Sequence, residues 1–380
     1  MVSKSTIINL GPQHPSTHGV LRLEVSLTGE KINHIEPHIG YLHRCFEKHC
    51  EYLNYQQIIP FTDRLDYLAS MNNSHAFVMG VEKLLNIHDN IPKRIEYIRV
   101  LVCELNRIAS HLIALGTFAM DIGSVTPFMW CFKYRGQIIK LLEKASGSRL
   151  LYNYIWIGGI FYDIPLNFES EVLTIVKSLK KDLINLDALT IDNKIFIDRT
   201  VNIGVINIDD AINYGVTGPI IRACGFKQDL RKIDAYSVYG ELDFDIPVGN
   251  TQVGVLGDAW NRSNVRLLEI KECIKIIEQC CHILQTKHSR QEDFNPRKFV
   301  PKKYRFNDIK DFYIRSENPK GELGFYFITN KNSDQPLRVK VRAPSFNNLS
   351  IIALAAKGHS LADIPVILGS LDIVLGEIDR

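Results

Sequence analysis

Two histidines, His14 and His18, stand four residues apart in the stretch GPQHPSTHG at residues 11–19. On a helix that spacing puts both imidazoles on one face, as in a metal pair. Here Pro15 pushes His14 away from helical angles, and Gly11 and Gly19 mark tight turns. The imidazoles therefore belong to a glycine-bounded loop. On these residues alone two readings stay open: a turn with surface histidines, or a loop tip that offers an imidazole as proton donor or ligand. A second group lies in FTDRLDYLASMNN, where Arg64, Asp66 and Tyr67 are expected on one helical turn. Its plain reading is a surface ion pair beside a packed tyrosine. Asp121, in GTFAMDIGSVTPF, falls among apolar residues just past an expected helix end, as a cap or as a paired buried carboxylate. In GYLHRCFEKHCEYLNY the residues His43, Cys45, His49 and Cys50 crowd together, but their spacing fits no standard zinc pattern.

The elements that must position these groups follow from periodicity. In residues 20–37, Leu21, Leu23, Val25 and Leu27 alternate with polar residues, then a TGE turn precedes Ile32 and Ile35. That pattern predicts a β-hairpin, which with TIINL makes a small N-terminal sheet carrying the histidine loop between its first two strands. From about residue 43 to 190 the period changes to 3.6, with Ile98, Val102, Leu105 and Leu112 on one stripe. TPFMWCFKYRGQIIKLLEKASG predicts a helix with Thr126 as N-cap, Pro127 as its first residue and an end near Gly147. Several long helices with short connections predict a bundle. After Asp198 come short helices and glycine-rich turns, then a long helix around 258–286. RKFVPKKYRF is expected as a basic surface loop, GELGFYFIT and LRVKVRAP as a second hairpin, and the end of the chain as short helices. The fold class is thus α+β, mostly α, in three regions: a β region over 1–42, a helical bundle over 43–290, and an α+β region over 291–380 packed back on the bundle.

Composition narrows the function classes. A charge of +3 gives no argument for nucleic acid. The eight cysteines form no C-x-x-C pair and are expected as reduced, mostly buried thiols, with no metal of their own. No apolar stretch of about twenty residues is present, so membrane association is expected through partners. MVSKSTIINL has neither an apolar core segment nor an arginine-rich amphipathic helix, so no targeting peptide is expected. There is no G-x-G-x-x-G, G-x-x-x-x-G-K-[ST] or G-x-S-x-G, so nucleotide binding and acyl transfer are unsupported. Richness in Ile, Lys and Asn hints at an AT-rich genome, such as an organelle's.

Nearly end to end, the chain resembles the 49-kDa subunit family of respiratory complex I, distant relatives of the nickel–iron hydrogenase large subunits. The segments that carry the resemblance are GPQHPSTHGVLRL, HIGYLHR, FTDRLDY, VEKLLNI, SGSR, DLRK, FDIPVG, KGHSLADI and DIVLGEIDR. It implies a hydrogenase large-subunit-like fold and a site for the ubiquinone headgroup. His18 resembles the imidazole that bonds one quinone oxygen and Tyr67 the phenol that bonds the quinone from the helical side. Asp121 resembles the carboxylate paired with that histidine, and Thr117 lines the same pocket. Arg44 and Arg64 resemble the arginines beside the terminal iron–sulfur cluster, N2. Asp372 and Val374 match the stretch packed under the site, and His14 is a further candidate.

The family also implies a 4Fe–4S cluster held by a small neighbouring subunit, a membrane subunit at the quinone entrance, and NADH and FMN bound elsewhere in the complex. The location implied is the matrix side of the mitochondrial inner membrane, or the cytoplasmic side of the plasma membrane in a bacterium. The chemistry suits these residue types. Quinone reduction takes two electrons and two protons, and donors must face the oxygens where negative charge develops. A phenol with a pKa of about 10 and an imidazole near about 6.5 can both donate. Hydrogenase relatives bind nickel and iron through two C-x-x-C pairs; HRCFEKHC and GEIDR lack them, so a nickel site is excluded on ligand chemistry. The chain departs from the family at Leu151, where a histidine close to the cluster is usual, and at Trp156-Ile157, where Arg-Pro is usual. The alternative readings are a non-catalytic scaffold of the same type of complex, or a hydrogenase-derived membrane-complex subunit without the nickel site.

Overall fold

The computed structural model describes residues 5–13, 19–286 and 304–380. His14 and His18 lie outside the described residues, as does most of the basic stretch RKFVPKKYRF. The alternating N-terminal stretch forms an antiparallel sheet of β1 (Thr6–Leu10), β2 (Arg22–Thr28) and β3 (Lys31–His38), in that order. Leu23, Val25 and Leu27 turn inward while Arg22, Glu24 and Ser26 stay partly exposed, the two faces that a period of two creates. Between β1 and β2 the Gln13 N–H donates to the Gly19 carbonyl at 3.3 Å, which closes the neck of the histidine loop.

The helical part is built from α1 (Tyr55–Thr62), α2 (Ser70–Leu84), α3 (Lys93–Asp121), α4 (Val125–Ser146), α5 (Phe168–Leu189) and α6 (Ala259–Thr286). α3 is the central helix. It packs along α4 and α6, and α5 closes the layer against both. Nearly every residue of α3 from Arg94 to Ala119 is buried, charges included. A buried charge is tolerated only with partners, and α3 finds them around it. Arg99 meets Glu82 at 2.6 Å and Glu96 at 2.8 Å, and Glu104 meets Arg231 at 3.2 Å. Beyond them Arg222 joins Glu269 at 2.6 Å to Glu317 at 2.7 Å.

Two boundaries differ from expectation. α4 begins after Ser124, so Pro127 is its third residue, not its first. The first four N–H groups of a helix have no intrahelical partner, so a proline there removes nothing. The other end matches: Gly147 takes a left-handed φ of 82° at the C-cap. The C-terminal hairpin is in fact a three-stranded antiparallel sheet, β4 (Asp311–Asn318), β5 (Gly321–Thr329) and β6 (Pro336–Arg342). α7 (Pro344–Ser350), α8 (Ile364–Leu371) and α9 (Leu375–Asp379) follow. The two ends of the chain share one core: Leu23, Val25 and Ile35 pack with Ile367, Leu371 and Ile378. Backbone bonds from Ile32 N to His359 O at 2.9 Å and from Gly358 N to Ile32 O at 2.8 Å join them further.

Candidate functional site

Arg64, Asp66 and Tyr67 do not lie on a helical turn. They occupy the irregular segment between α1 and α2, where short-range bonds from Arg64 N to Phe61 O, Leu65 N to Thr62 O and Ala69 N to Asp66 O, each 3.1 Å, leave carbonyl lone pairs to spare. Buried asparagines from the bundle use them. Asn73 of α2 donates to the Thr62 and Asp66 carbonyls at 3.2 and 3.0 Å. Asn106 of α3 donates to the Leu68 carbonyl at 2.9 Å and accepts from Met71 N at 3.0 Å. Asn318 of β4 locks Asn73 from behind at 2.6 Å. The segment is thus held by side chains on three rigid elements, and it presents Tyr67 39% exposed while Asp66 is buried.

Nor is Asp66 paired with Arg64. Its partner is Lys320, at the β4–β5 turn, with Nζ 3.2 Å from Asp66 Oδ2. Lys320 also lies 3.7 Å from Asp372, the left-handed C-cap of α8, and 3.1 Å from Ser110 Oγ. Arg266 of α6 stands 3.9 Å from the same Asp372. Burial opposes a charged Lys320, but Asp372 and Asp66 outweigh it and push the ammonium up to about 12. Burial, with Asp372 adding to it, raises Asp66 against the pull of Lys320. Both partners of one pair move upward for different reasons: burial favours the neutral acid of Asp66, while the two carboxylates hold the Lys320 ammonium charged. The Tyr67 phenol is raised by burial first and by Asp66 next, with Lys320 and Arg44 opposing.

The C-terminal segment closes this arrangement. A Cβ on Gly376 would come 2.8 Å from the Leu65 carbonyl and 3.0 Å from Arg44 Nη2, so only glycine lets α9 press on the Arg64–Leu65 backbone. Arg44 donates to the Arg64 carbonyl, and Arg64 to that of Pro60. The two arginines share a cleft of about 100 Å³ with Phe46, Phe61, Leu65 and Arg380. Val374 is buried and its N–H reaches Ser345 Oγ at 3.4 Å. Its neighbour Leu375 lies 3.5 Å from the Cβ position of Gly19, so the end of the histidine loop abuts the same segment.

Tyr67, Arg44, Arg64, Asp372 and Val374 are therefore gathered around one turn. Thr117 and Asp121 are more distant. Thr117 donates to the Ile113 carbonyl of its own helix at 2.8 Å. It stands about 16 Å along α3 from Asn106 at 1.5 Å per residue. Asp121, partly buried, is the last residue of α3. Leu151 has a φ of +58°, and Asn153 beside it donates its N–H to Asp63 Oδ2 at 2.7 Å. Asp63 is buried, accepts from Ser74 Oγ at 2.9 Å as well, and is pushed up to about 6 by burial against those two bonds. The stretch 151–153 is thus tied through Asn153 to the start of the same turn. In the stretch 43–50, His43 Nδ1 is 2.7 Å from the Asp379 carbonyl and Cys50 points into the core.

Sequence reasoning missed Lys320, Arg266, Asn73 and Asn106. Lys320 follows ENP at a hairpin tip, where a lysine is ordinarily exposed, so no local signal marked it. Among the described residues no group of three His, Cys, Asp or Glu is placed to hold a metal, and no helix is long and apolar enough to cross a membrane.

The sequence model of the family described as respiratory-chain NADH dehydrogenase, 49 Kd subunit, matches residues 121–380. The NADH-quinone oxidoreductase D-subunit 1 of Cytophaga hutchinsonii is 59% identical over 374 residues, 98% of this chain and 95% of the relative. The D-subunit of Amoebophilus asiaticus is 55% identical over 377 residues, 99% and 93% of the two chains. That of Pelodictyon phaeoclathratiforme is 52% identical over 380 residues, 100% and 93%. With the RLDY turn and the GEIDR segment facing each other, and with likeness of this extent, the chain belongs to the family of the 49-kDa subunit of respiratory-chain NADH dehydrogenase.

Proposed function

We propose that this chain forms most of the quinone headgroup site of a proton-translocating NADH:quinone oxidoreductase. The observation that carries the reading is Tyr67: a partly exposed phenol on a turn locked by Asn73 and Asn106, with the Asp66–Lys320–Asp372 charges fixed behind it. A preorganised donor of this kind stabilises charge as it develops on a quinone oxygen, and needs no reorganisation at the moment of reaction. Its raised proton affinity keeps the phenol neutral until that charge appears. In this reading Tyr67 donates to one quinone oxygen and His18 to the other, with Asp121 orienting His18. Thr117 and Val374 line the pocket, and His14 lies at its loop edge. Asp372 acts through Lys320.

Electrons come singly from a 4Fe–4S cluster held by a small neighbouring subunit, beside Arg44 and Arg64. A membrane subunit supplies the quinone entrance, ubiquinone is the substrate, and NADH and FMN bind elsewhere in the complex. The relatives at 59% and 55% identity are bacterial. They support a peripheral subunit at the cytoplasmic side of a plasma membrane and lend no support to a mitochondrial location.

The test is Tyr67→Phe in the assembled complex. Quinone reduction is expected to fall by about 10²-fold, the low end for loss of a positioned acid, while NADH oxidation by an artificial acceptor upstream stays near normal. Equal loss of both activities, or loss of neither, sinks the reading and favours the scaffold.

A further inference from the structure

The buried charges behind Tyr67 do not balance. Asp66, Asp372 and Glu377 bring three carboxyl groups, all buried or nearly so, while Lys320 and Arg266 bring two cations. An uncompensated buried charge is costly, and the ordinary remedy is for one group to keep its proton. Asp66 touches Lys320, and Asp372 stands between Lys320 and Arg266. Among the described residues, no cation is in contact with Glu377. Its Oε2 accepts from the Ser345 hydroxyl and from Ser345 N at 3.2 Å, and its Oε1 has no hydrogen-bond partner among them. The other charged neighbours are engaged elsewhere. Arg44, beside Gly376, donates to the Arg64 carbonyl, and Asp379 accepts from the N–H groups of Gly40 and Leu42. Burial and the nearby Asp66 push Glu377 up to about 7, with Ser345 and Lys320 opposing. Glu377 is thus the carboxyl group with the least to hold it ionised, two residues before the end of α9 and in the field of the same Asp66 and Lys320 that act on Tyr67.

We propose that Glu377 is the proton store of the quinone site, returning a proton through Asp66 to the Tyr67 phenolate after each turnover; this rests on the quinone reading above. The step balances. Two electrons from the partner's cluster reduce the quinone, and the Tyr67 O–H bond breaks to supply one of the two protons of the quinol, the imidazole side supplying the other. The Glu377 O–H bond then breaks, a proton passes to Asp66 and on, and an O–H bond re-forms at Tyr67. Solvent refills Glu377. Glu377 does not touch the substrate and acts only through Tyr67.

The experiment uses membranes carrying the assembled complex, a short-chain quinone, and the upstream artificial-acceptor activity as a gauge of assembly. In the native complex kcat declines above about pH 7 as Glu377 empties. Glu377→Gln lowers kcat at least about tenfold, a modest loss on the scale of acid–base catalysis. It leaves KM within about twofold and abolishes the alkaline decline; Glu377→Asp restores part of both. Ser345→Ala removes a hydrogen bond that favours the ionised carboxylate, so it moves the decline to higher pH. A rise in KM at constant kcat, or an alkaline decline that persists in Glu377→Gln, overturns the proposal. If Glu377→Gln does not assemble, the Ser345→Ala profile decides, and an unmoved profile overturns it. Loss of activity in Tyr67→Phe with an intact Glu377→Gln defeats the proton store alone, whereas an active Tyr67→Phe defeats the quinone reading beneath it.

Discussion

Replacing Lys320 with methionine tests whether the charges behind Tyr67 are a structural necessity. The side chain is fully buried, with Nζ 3.2 Å from Asp66 and 3.7 Å from Asp372. At an effective dielectric constant of 20, each contact corresponds to about 5 kcal/mol of attraction before desolvation is subtracted. Methionine matches the length of the lysine stem, so little packing is lost and the electrical effect dominates. What remains among the described residues is a pair of buried carboxylates with Arg266, 3.9 Å from Asp372, as the one cation in contact. Breaking a buried pair by removing one partner costs about 3–5 kcal/mol. That corresponds to a reduction of roughly 10²- to 10³-fold or more in the ratio of folded to unfolded chain.

The cost depends on pH. Lys320 is held charged up to about 12, so its pairs are intact at any working pH in the native protein. In Lys320→Met the orphaned carboxylates can take up protons as the medium becomes acid, which relieves part of the loss. The assay is the yield of assembled complex and its thermal inactivation midpoint, followed by the upstream acceptor activity between about pH 5.5 and 8. The expected result is a lowered midpoint that recovers toward acid, accompanied by loss of quinone reduction. A variant that assembles with the native midpoint at all pH values would falsify the claim that Lys320 balances Asp66 and Asp372.

Two further outcomes are expected. In Gly376→Ala the new Cβ meets the Leu65 carbonyl at 2.8 Å, and that backbone cannot yield as the Arg44 tip can. Overpacking of this kind costs about 1–3 kcal/mol. Its displacement of the Tyr67 turn appears as a severalfold rise in KM for quinone at unchanged upstream activity; an unchanged KM contradicts the contact. Asp63 is pushed up to about 6 from an ordinary 3.8, so the folded chain holds this proton more tightly than the unfolded chain. Its contribution is therefore most favourable below about pH 4, and stability falls as pH rises from there through about 6, then levels. The roughly two-unit shift corresponds to about 3 kcal/mol. Asp63→Asn, which can still accept from Asn153 and bond Ser74, is expected to raise the inactivation midpoint at pH 7 and flatten its change between pH 4 and 6. A lower midpoint at pH 7 contradicts the sign.

Local pattern determined much of this protein. Strict alternation made β2, with Leu23, Val25 and Leu27 inward, because successive side chains in a strand face opposite ways. Gly147 ended α4 because glycine accepts the left-handed angle of a helix C-cap. RLDY and GEIDR stood out through the family resemblance they carry, and the fold brings the two segments together at Gly376 and Leu65. Other features have no local cause. β4 was missed because its second half, Ser316–Asn318, is buried on both faces, which erases the alternation that would reveal it. The Arg64–Tyr67 segment is held off the helix by groups from elsewhere in the fold, Asn73 bonding the Asp66 carbonyl and Asn106 that of Leu68 just beyond it. Above all, Asp66 pairs with Lys320 at the far β4–β5 turn and not with Arg64 two residues away. Charge pairing in a dry interior is settled by which groups the fold excludes from water together, and no spacing along the chain carries that information.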